Sequence, residues 1–380
     1  MEKVEVFIVG AGPSGLATVA CLSKLSLPYV IVEREDCIAS LWRKHTYDCL
    51  KLHIAKELCD LPHMLYPTDS PTYILKDQFL RYMEDYVQQF NICPKFNTLV
   101  ESCMYDEYKK CWSIMAQDKI NGTVMNYATR FLVVATGQNS AGSFLEIVGL
   151  QSFPGEVIHS SSYKSGSDYV GKNMLVVGCG NFGFEISYDS AVHGANTSIV
   201  ICGPFHVMTK ELIHLGMIPV KWHISLQLVD FILLLLAYLL FGDLSKYGIM
   251  RPNMGPLLLK GKKGRSAVID VGTTKLIRKV FGPISCIRGN LVEFEDVAER
   301  YYDNIVFATG YKSTANMWLK KDTSMINSDG MPKNGFPNHW KGANGLYCVG
   351  FARRGLASIA HDAKIVANNI QANIKRTLFD

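Results

Sequence analysis

The tightest constraint on this 380-residue chain lies at its start. Val4, Val6, Ile8 and Val9 form an apolar run, and Gly10-Ala11-Gly12-Pro13-Ser14-Gly15 follows at once. An apolar helical stretch with Leu16, Ala17, Val19, Ala20 and Leu22 comes next, then Tyr29-Val30-Ile31-Val32 and the acid Glu33. Strand, glycine turn, helix, strand and acid in this order make a dinucleotide-binding unit. Gly10 suits the tight turn, Gly12 lets backbone approach a pyrophosphate, and Gly15 lets the helix lie close to the strand. The first helical turn offers free N–H groups and the positive end of the helix dipole. Glu33 follows Gly15 by 18 residues, near the offset at which an acid grips ribose hydroxyls.

The pattern recurs. Met174-Leu175-Val176-Val177 precedes Gly178-Cys179-Gly180-Asn181-Phe182-Gly183, a helix is expected over Phe184 to Val192, and Thr197 to Cys202 reads as the next strand. Gly10 and Gly178 lie 168 residues apart, too far for one crossover of a single sheet. The expected class is therefore α/β, with two Rossmann-like dinucleotide-binding domains of three-layer (ββα) build. The second is inserted in the first: 1–165 with 284–380 around 166–283. Apolar runs ending in Ala135-Thr136-Gly137, Ala308-Thr309-Gly310 and Val349-Gly350 read as further strands whose turns approach a bound dinucleotide. Two such folds in one chain suggest electron transfer between FAD on the first and a nicotinamide dinucleotide on the second. Candidate FAD contacts are Gly10, Ala11, Gly12, Pro13, Ser14, Gly15, Glu33, Arg34, Trp42, Arg43, Thr136, Gly137, Gly350 and Arg354. Candidate nicotinamide-dinucleotide contacts are Gly178, Cys179, Gly180, Asn181, Phe182, Gly183 and Lys210.

Composition narrows the class. Apolar residues make up 48% and charged residues 19%, which supplies an ample core, and a net charge of +5 without a Lys/Arg block gives no footprint for nucleic acid. The 11 cysteines stand singly, without CxxC or CxxxxC, so neither a metal site nor a redox dithiol is expected. Scattered thiols suit a reducing, cytoplasmic compartment, with peripheral attachment to the endoplasmic reticulum left open. The first strand begins at once, leaving no expected targeting peptide. The run Phe231 to Phe241 is shorter than the roughly 20 residues that a membrane span needs, and reads as a buried or surface-packing helix. Gly261-Lys262-Lys263-Gly264-Arg265 reads as an exposed basic loop.

Between the two glycine turns sits Phe153-Pro154-Gly155-Glu156-Val157-Ile158-His159-Ser160-Ser161-Ser162-Tyr163. This resembles the FxGxxxHxxxY fingerprint of class B flavin-dependent monooxygenases, with Phe153, Gly155, His159 and Tyr163 at its fixed positions. Trp42-Arg43, Tyr47 to His53, Phe307 to Tyr311 and Gly350 to Leu356 resemble the plant YUCCA-type branch of indole-3-pyruvate monooxygenases. The resemblance implies FAD, NADPH and O2. It also implies oxidative decarboxylation of indole-3-pyruvate to the auxin indole-3-acetate through a C4a-peroxyflavin. His53 occupies a place where many relatives carry Asn near the flavin, which makes it the tentative catalytic residue, with core packing as its alternative role. His159 is expected to serve structure rather than proton transfer.

One departure bears on the nucleotide. NADPH-using relatives commonly end the second strand of the inserted fold with an Arg for the 2′-phosphate, whereas Cys202-Gly203 stand here, with Lys210 as a possible substitute. No acid marks the strand for NADH either. The alternatives to the expected activity are N- or S-oxygenation of amines or sulfides, and a flavin-binding redox sensor without turnover.

Overall fold

The computed structural model describes residues 1–221, 224–277, 280–296, 298–320 and 325–377. The chain divides into two compact units. The first holds 1–44, 55–141 and 311–380, and the second 45–54 and 142–310.

In the first unit β1 (Glu2–Val9) lies between β2 (Tyr29–Val32) and β5 (Val124–Val134), parallel to both, with Val9 opposite Val32 and Val134. Val6, Phe7, Ile8 and Val9 are buried, as a strand covered on both faces requires. β5 is long enough to change partners: its first half pairs antiparallel with β4 (Cys111–Asp118), and its last residues pair parallel with the strand Leu346–Cys348. β3 (Thr98–Asp106) continues the sheet beyond β4. Burial alternates along β3 and β4, so they are covered on one face only. Against β1 sits α1 (Pro13–Lys24), an apolar helix buried from Ser14 to Leu22, and the C-terminal helix Ile359–Thr377 lies against it. The helices α2 (Ser40–Lys44) and α3 (Lys76–Gln89) follow β2, and α3 turns Phe79, Met83 and Tyr86 inward. The core gathers Phe7, Val32, Trp112, Tyr127, Leu132, Val134 and Trp318.

The second unit has its own parallel sheet, in the order Glu156–His159, Asn304–Phe307, Asn173–Val177, Asn196–Val200. α4 (Asn181–Val192) connects the last two strands. The division differs from the expected 166–283 insert. The strands at 156–159 and 304–307 hydrogen-bond to the strand at 173–177 or to each other, so the flanks 142–165 and 284–310 belong to this unit. An antiparallel ribbon, Ile284–Arg288, Leu291–Phe294 and Glu299–Tyr301, shares a core with that sheet through Ile287, Phe294, Leu175 and Phe307.

α5 (Lys210–Lys221) and α6 (Leu226–Phe241) pack together. Val229, Leu233 and Ala237 point inward, while Phe231, Leu235 and Leu239 are exposed. α6 thus lies on the surface, and no helix among the described residues is long and apolar enough to cross a membrane. Asp230, just before the apolar run, is buried and accepts the backbone N–H groups of Leu257 and Leu258 at 2.8 and 3.1 Å. It therefore caps the helix Pro256–Lys263.

Candidate functional site

The first glycine turn is fixed by sterics. Gly10 has φ +107°, and a Cβ there would come 2.8 Å from the Ala135 carbonyl oxygen. A Cβ on Gly15 would lie 1.9 Å from the Gly10 carbonyl oxygen, so α1 can start this close to β1 only with glycine at that place. Gly12 differs: a Cβ would meet nothing within 4 Å. The protein does not need Gly12 for its own packing, and the bare backbone faces open space at the α1 N-terminus. That is a cradle for an anion.

Glu33 ends β2 beside this cradle. It is 6% exposed, accepts the Ala11 N–H at 2.8 Å and the Glu35 N–H at 3.1 Å, and has the Ser40 hydroxyl 3.5 Å away. Burial pushes its carboxyl above the usual range, against the opposing pull of those two backbone donors. Gly137 (φ +73°) leaves open space beside Thr136, whose hydroxyl is buried without a hydrogen-bond partner among the described residues. Gly350 faces the same turn, since a Cβ there would come 2.1 Å from Ser14 Oγ. Its N–H donates to Asp362 Oδ2 at 3.2 Å, and the other Asp362 oxygen is buried without a hydrogen-bond partner among the described residues. Asp362 lies in the C-terminal helix with no signal that marked it in the sequence.

The other expected residues in this unit also have protein partners. Arg34 donates to the Ser140 carbonyl at 3.0 Å, and the Trp42 ring packs against Phe79, tilted, with centroids 4.5 Å apart. Arg43 pairs with Glu84 at 2.5 Å on the surface, and the Arg354 guanidinium lies 3.7 Å from the Phe336 ring centroid. Pro13 opens α1, where a missing N–H costs nothing.

The second turn repeats the first. Gly178 has φ +118° with the Ala308 carbonyl oxygen 2.5 Å from a notional Cβ, Gly183 would meet the Gly178 carbonyl oxygen at 2.0 Å, and Gly180 again faces open space. Burial pushes the Cys179 thiol up to about 11. Asn181, the first residue of α4, accepts the Ile269 N–H on Oδ1 at 2.9 Å. Its Nδ2 therefore donates to His53 Nδ1, 3.1 Å away. His53 then carries its proton on Nε2, which donates to Glu185 Oε1 at 2.8 Å, and the Tyr47 hydroxyl donates to Glu185 Oε2. Every hydrogen in this chain has one place, with a neutral imidazole and an ionised carboxylate. Burial acts to raise the Glu185 carboxyl, but the bonds from His53 and Tyr47 and the Lys210 charge outweigh it and hold it below the usual range. Lys210 stands within electrostatic reach of Glu185 and Lys51, and burial lowers its own pKa. Phe182 packs against both Tyr47 and His53, at 5.8 and 6.4 Å. Tyr47 and Glu185 escaped sequence reasoning. An acid set between the apolar Phe184 and Ile186 of α4 was the signal for the second.

Comparison with known proteins now has a geometry to attach to. A family model described as pyridine nucleotide-disulphide oxidoreductase matches residues 7–212. The probable indole-3-pyruvate monooxygenase YUCCA10 of Arabidopsis thaliana is 47% identical over 377 residues, covering 98% of this chain and 98% of that protein. The probable indole-3-pyruvate monooxygenase YUCCA8 of the same plant is 45% identical, covering 96% and 88%. The chain belongs to the YUCCA family of flavin-dependent monooxygenases. Among solved structures, the flavin-containing monooxygenase from Stenotrophomonas maltophilia matches with TM-score 0.74 at 17% identity, covering 98% of this chain and 100% of that one. That likeness establishes the α/β flavin monooxygenase fold.

In this YUCCA-family chain the fingerprint residues all lie in the second unit. A Cβ on Gly155 would come 2.0 Å from the Asp303 carbonyl oxygen, so glycine lets the strand at 156–159 start against its neighbour, and Phe153 fills the adjoining core. His159 is 3% exposed, and its Nδ1 accepts the Ser161 N–H at 3.2 Å while Nε2 donates to the Gly310 carbonyl at 2.9 Å. Burial lowers its pKa, which leaves a neutral ring with both nitrogens used. Tyr163 donates to Asp189 at 2.7 Å, and the same carboxylate accepts the Gly166 N–H at 2.7 Å.

Proposed function

We propose that this chain is an FAD- and NADPH-dependent monooxygenase that oxidatively decarboxylates indole-3-pyruvate. Indole-3-pyruvate, NADPH, a proton and O2 go to indole-3-acetate, CO2, NADP+ and water. The observation that carries this reading is full-length identity, with 98% of both chains aligned, to a protein named for that activity. We read the two units as dinucleotide-binding folds, the second nested in the first. The cradle at Gly12, with Ser14, Thr136 and Gly350 around it, is open to a pyrophosphate and its ribityl hydroxyls, and would hold FAD. The cradle at Gly180 would hold the nicotinamide nucleotide. Bound flavin supplies the redox and oxygen chemistry, and the protein supplies binding, orientation and exclusion of water. Within that division His53 presents a neutral imidazole of fixed tautomer at the second turn.

The cysteines support oxygenation over dithiol chemistry. They form no CxxC or CxxxxC pair, and burial raises the thiols of Cys21, Cys49, Cys59 and Cys103 away from the reactive thiolate. Free thiols also favour a cytoplasmic site. The test is anaerobic addition of NADPH to the yellow protein, followed by O2 and indole-3-pyruvate. Bleaching and then indole-3-acetate are expected. Bleaching without that product, but with oxygenation of an amine or a sulfide, would move the substrate assignment. No bleaching by NADPH or NADH would leave a flavin-binding protein without turnover.

A further inference from the structure

The second nucleotide turn lacks the residue that should choose between the two nicotinamide dinucleotides. An acid at the end of the second strand grips the ribose 2′-hydroxyl of NAD, and an arginine nearby accommodates the 2′-phosphate of NADP. In this chain the strand Asn196–Val200 runs out to Cys202 and Gly203, neither acid nor base. Lys210 does not stand free for the task, since burial depresses its pKa and its charge acts on Glu185.

The fold brings a different cation to that place. The helix Pro256–Lys263 ends at Gly264, whose φ of +68° turns the chain sharply. The short strand Val268–Ile269 then pairs parallel with Val207–Met208, Val268 opposite Val207. Three residues back along both strands, that register sets Arg265 beside Pro204, and Arg265 Nη2 donates to the Pro204 carbonyl at 3.1 Å. Pro204 follows Cys202-Gly203 directly. The Arg265 charge also reaches Cys179, inside the glycine turn, and pulls its thiol down against burial. Arg265 thus lies beside the end of the second strand, within electrostatic reach of Cys179 in the Gly178–Gly183 turn. No acid pairs with it among the described residues. Among the described residues, Glu295 is the acid that acts on Cys202, raising its thiol after burial does. One carbonyl bond leaves most of the five guanidinium donors for a ligand. A planar fork of this kind suits a phosphate monoester better than a ribose hydroxyl.

We propose that Arg265 binds the 2′-phosphate of NADPH and sets the preference for NADPH over NADH, replacing the strand-end arginine that Cys202 displaces. This rests on the reading of the second turn as the nicotinamide-nucleotide site. The guanidinium is delivered from 61 residues beyond Pro204, which is why the strand end looked empty in the sequence.

The test is binding to the flavin-loaded enzyme by titration calorimetry, with NADP+, NAD+, and the 2′,5′-ADP and 5′-ADP pair as probes of the phosphate alone. Arg265→Ala should weaken NADP+ and 2′,5′-ADP by about tenfold to a hundredfold, the scale of a lost charge-assisted bond, and leave NAD+ and 5′-ADP unchanged. Arg265→Lys should keep part of the preference. Adding Cys202→Arg to Arg265→Ala should restore it. An Arg265→Ala enzyme that keeps the wild-type ratio of NADP+ to NAD+ affinity would overturn the proposal. Equal loss of both nucleotides would also overturn it, because damage to the fold does not discriminate a phosphate. Wild-type enzyme that binds neither nucleotide would instead overturn the reading of the turn beneath it.

Discussion

The two glycine turns are the same object built twice and finished differently. In each, the first glycine takes a positive φ against a neighbouring carbonyl, the second faces open space, and the third lets the helix start within about 2 Å of where a Cβ would strike backbone. After the second strand they part. The first turn meets a buried carboxylate, Glu33, tied to the Ala11 N–H. The second meets the exposed thiol of Cys202, and its buried carboxylate, Glu185, sits inside the following helix and is held by Tyr47 and His53. Sterics leave one solution for the close approach of helix and strand, so that part repeats. Recognition of what lies beyond the turn has several solutions, so that part varies.

The largest effects should fall on the repeated part. Gly15→Ala and Gly183→Ala each force a methyl onto a carbonyl oxygen, 1.9 and 2.0 Å away, and backbone cannot swing aside as a side chain can. Each should cost about 3 kcal/mol or more, the upper range for overpacking. Calorimetric unfolding with and without added FAD checks this. If one of the two substitutions leaves the melting temperature unchanged, the turns are not equivalent.

The next effect separates ligand from fold. At Gly12 and Gly180 a methyl meets no protein atom within 4 Å, so Gly12→Ala and Gly180→Ala should fold normally. Gly12→Ala should lose FAD, and Gly180→Ala should keep it while failing to be reduced by NADPH. A flavin-loaded Gly12→Ala protein, or normal reduction of Gly180→Ala, would break the assignment of one cofactor to each turn.

These pairs also mark what the sequence could reveal. Both turns, β1, α1, α4 and the strands around them were legible, because glycine spacing and apolar periodicity carry local information. The unit boundary was not. The strand at 156–159 joins the second sheet by pairing with residues about 150 positions away, and no local pattern encodes such a partner. The 45–54 segment hid its role for the same reason: Tyr47 and His53 meet Glu185 across 138 and 132 residues. Arg265 read as part of an exposed basic loop, which it is by exposure, and only the parallel register with Val207 gives it a location. Arg34, Arg43 and Arg354 are expected cofactor contacts, and each guanidinium also has a protein partner within that unit, the Ser140 carbonyl, Glu84 and the Phe336 ring.

The smallest effect is the most discriminating, because the two buried carboxylates should respond to pH with opposite signs. Glu185 is held below its ordinary value of 4.5, so its ionised form stabilises the fold above that pH, and the contribution is lost as pH falls through the depressed value. Glu33 is held above 4.5 by burial, so the folded state keeps its proton longer, and stability declines as pH rises from 4.5 through the raised value. Glu185→Gln should therefore cost about 1–3 kcal/mol near neutrality and much less in acid, since the ionised carboxylate accepts from both His53 and Tyr47, whereas the amide offers one acceptor oxygen and the protonated wild-type acid no more than that. Glu33→Gln should show the reverse slope, losing less at neutral pH than its burial suggests because the charged form was already disfavoured there. Urea unfolding of both variants between about pH 3 and pH 7 reads the two slopes directly. Parallel curves for the two variants would mean that the carboxylates sit in equivalent environments, and the contrast between tied Glu33 and anchored Glu185 would fall with them.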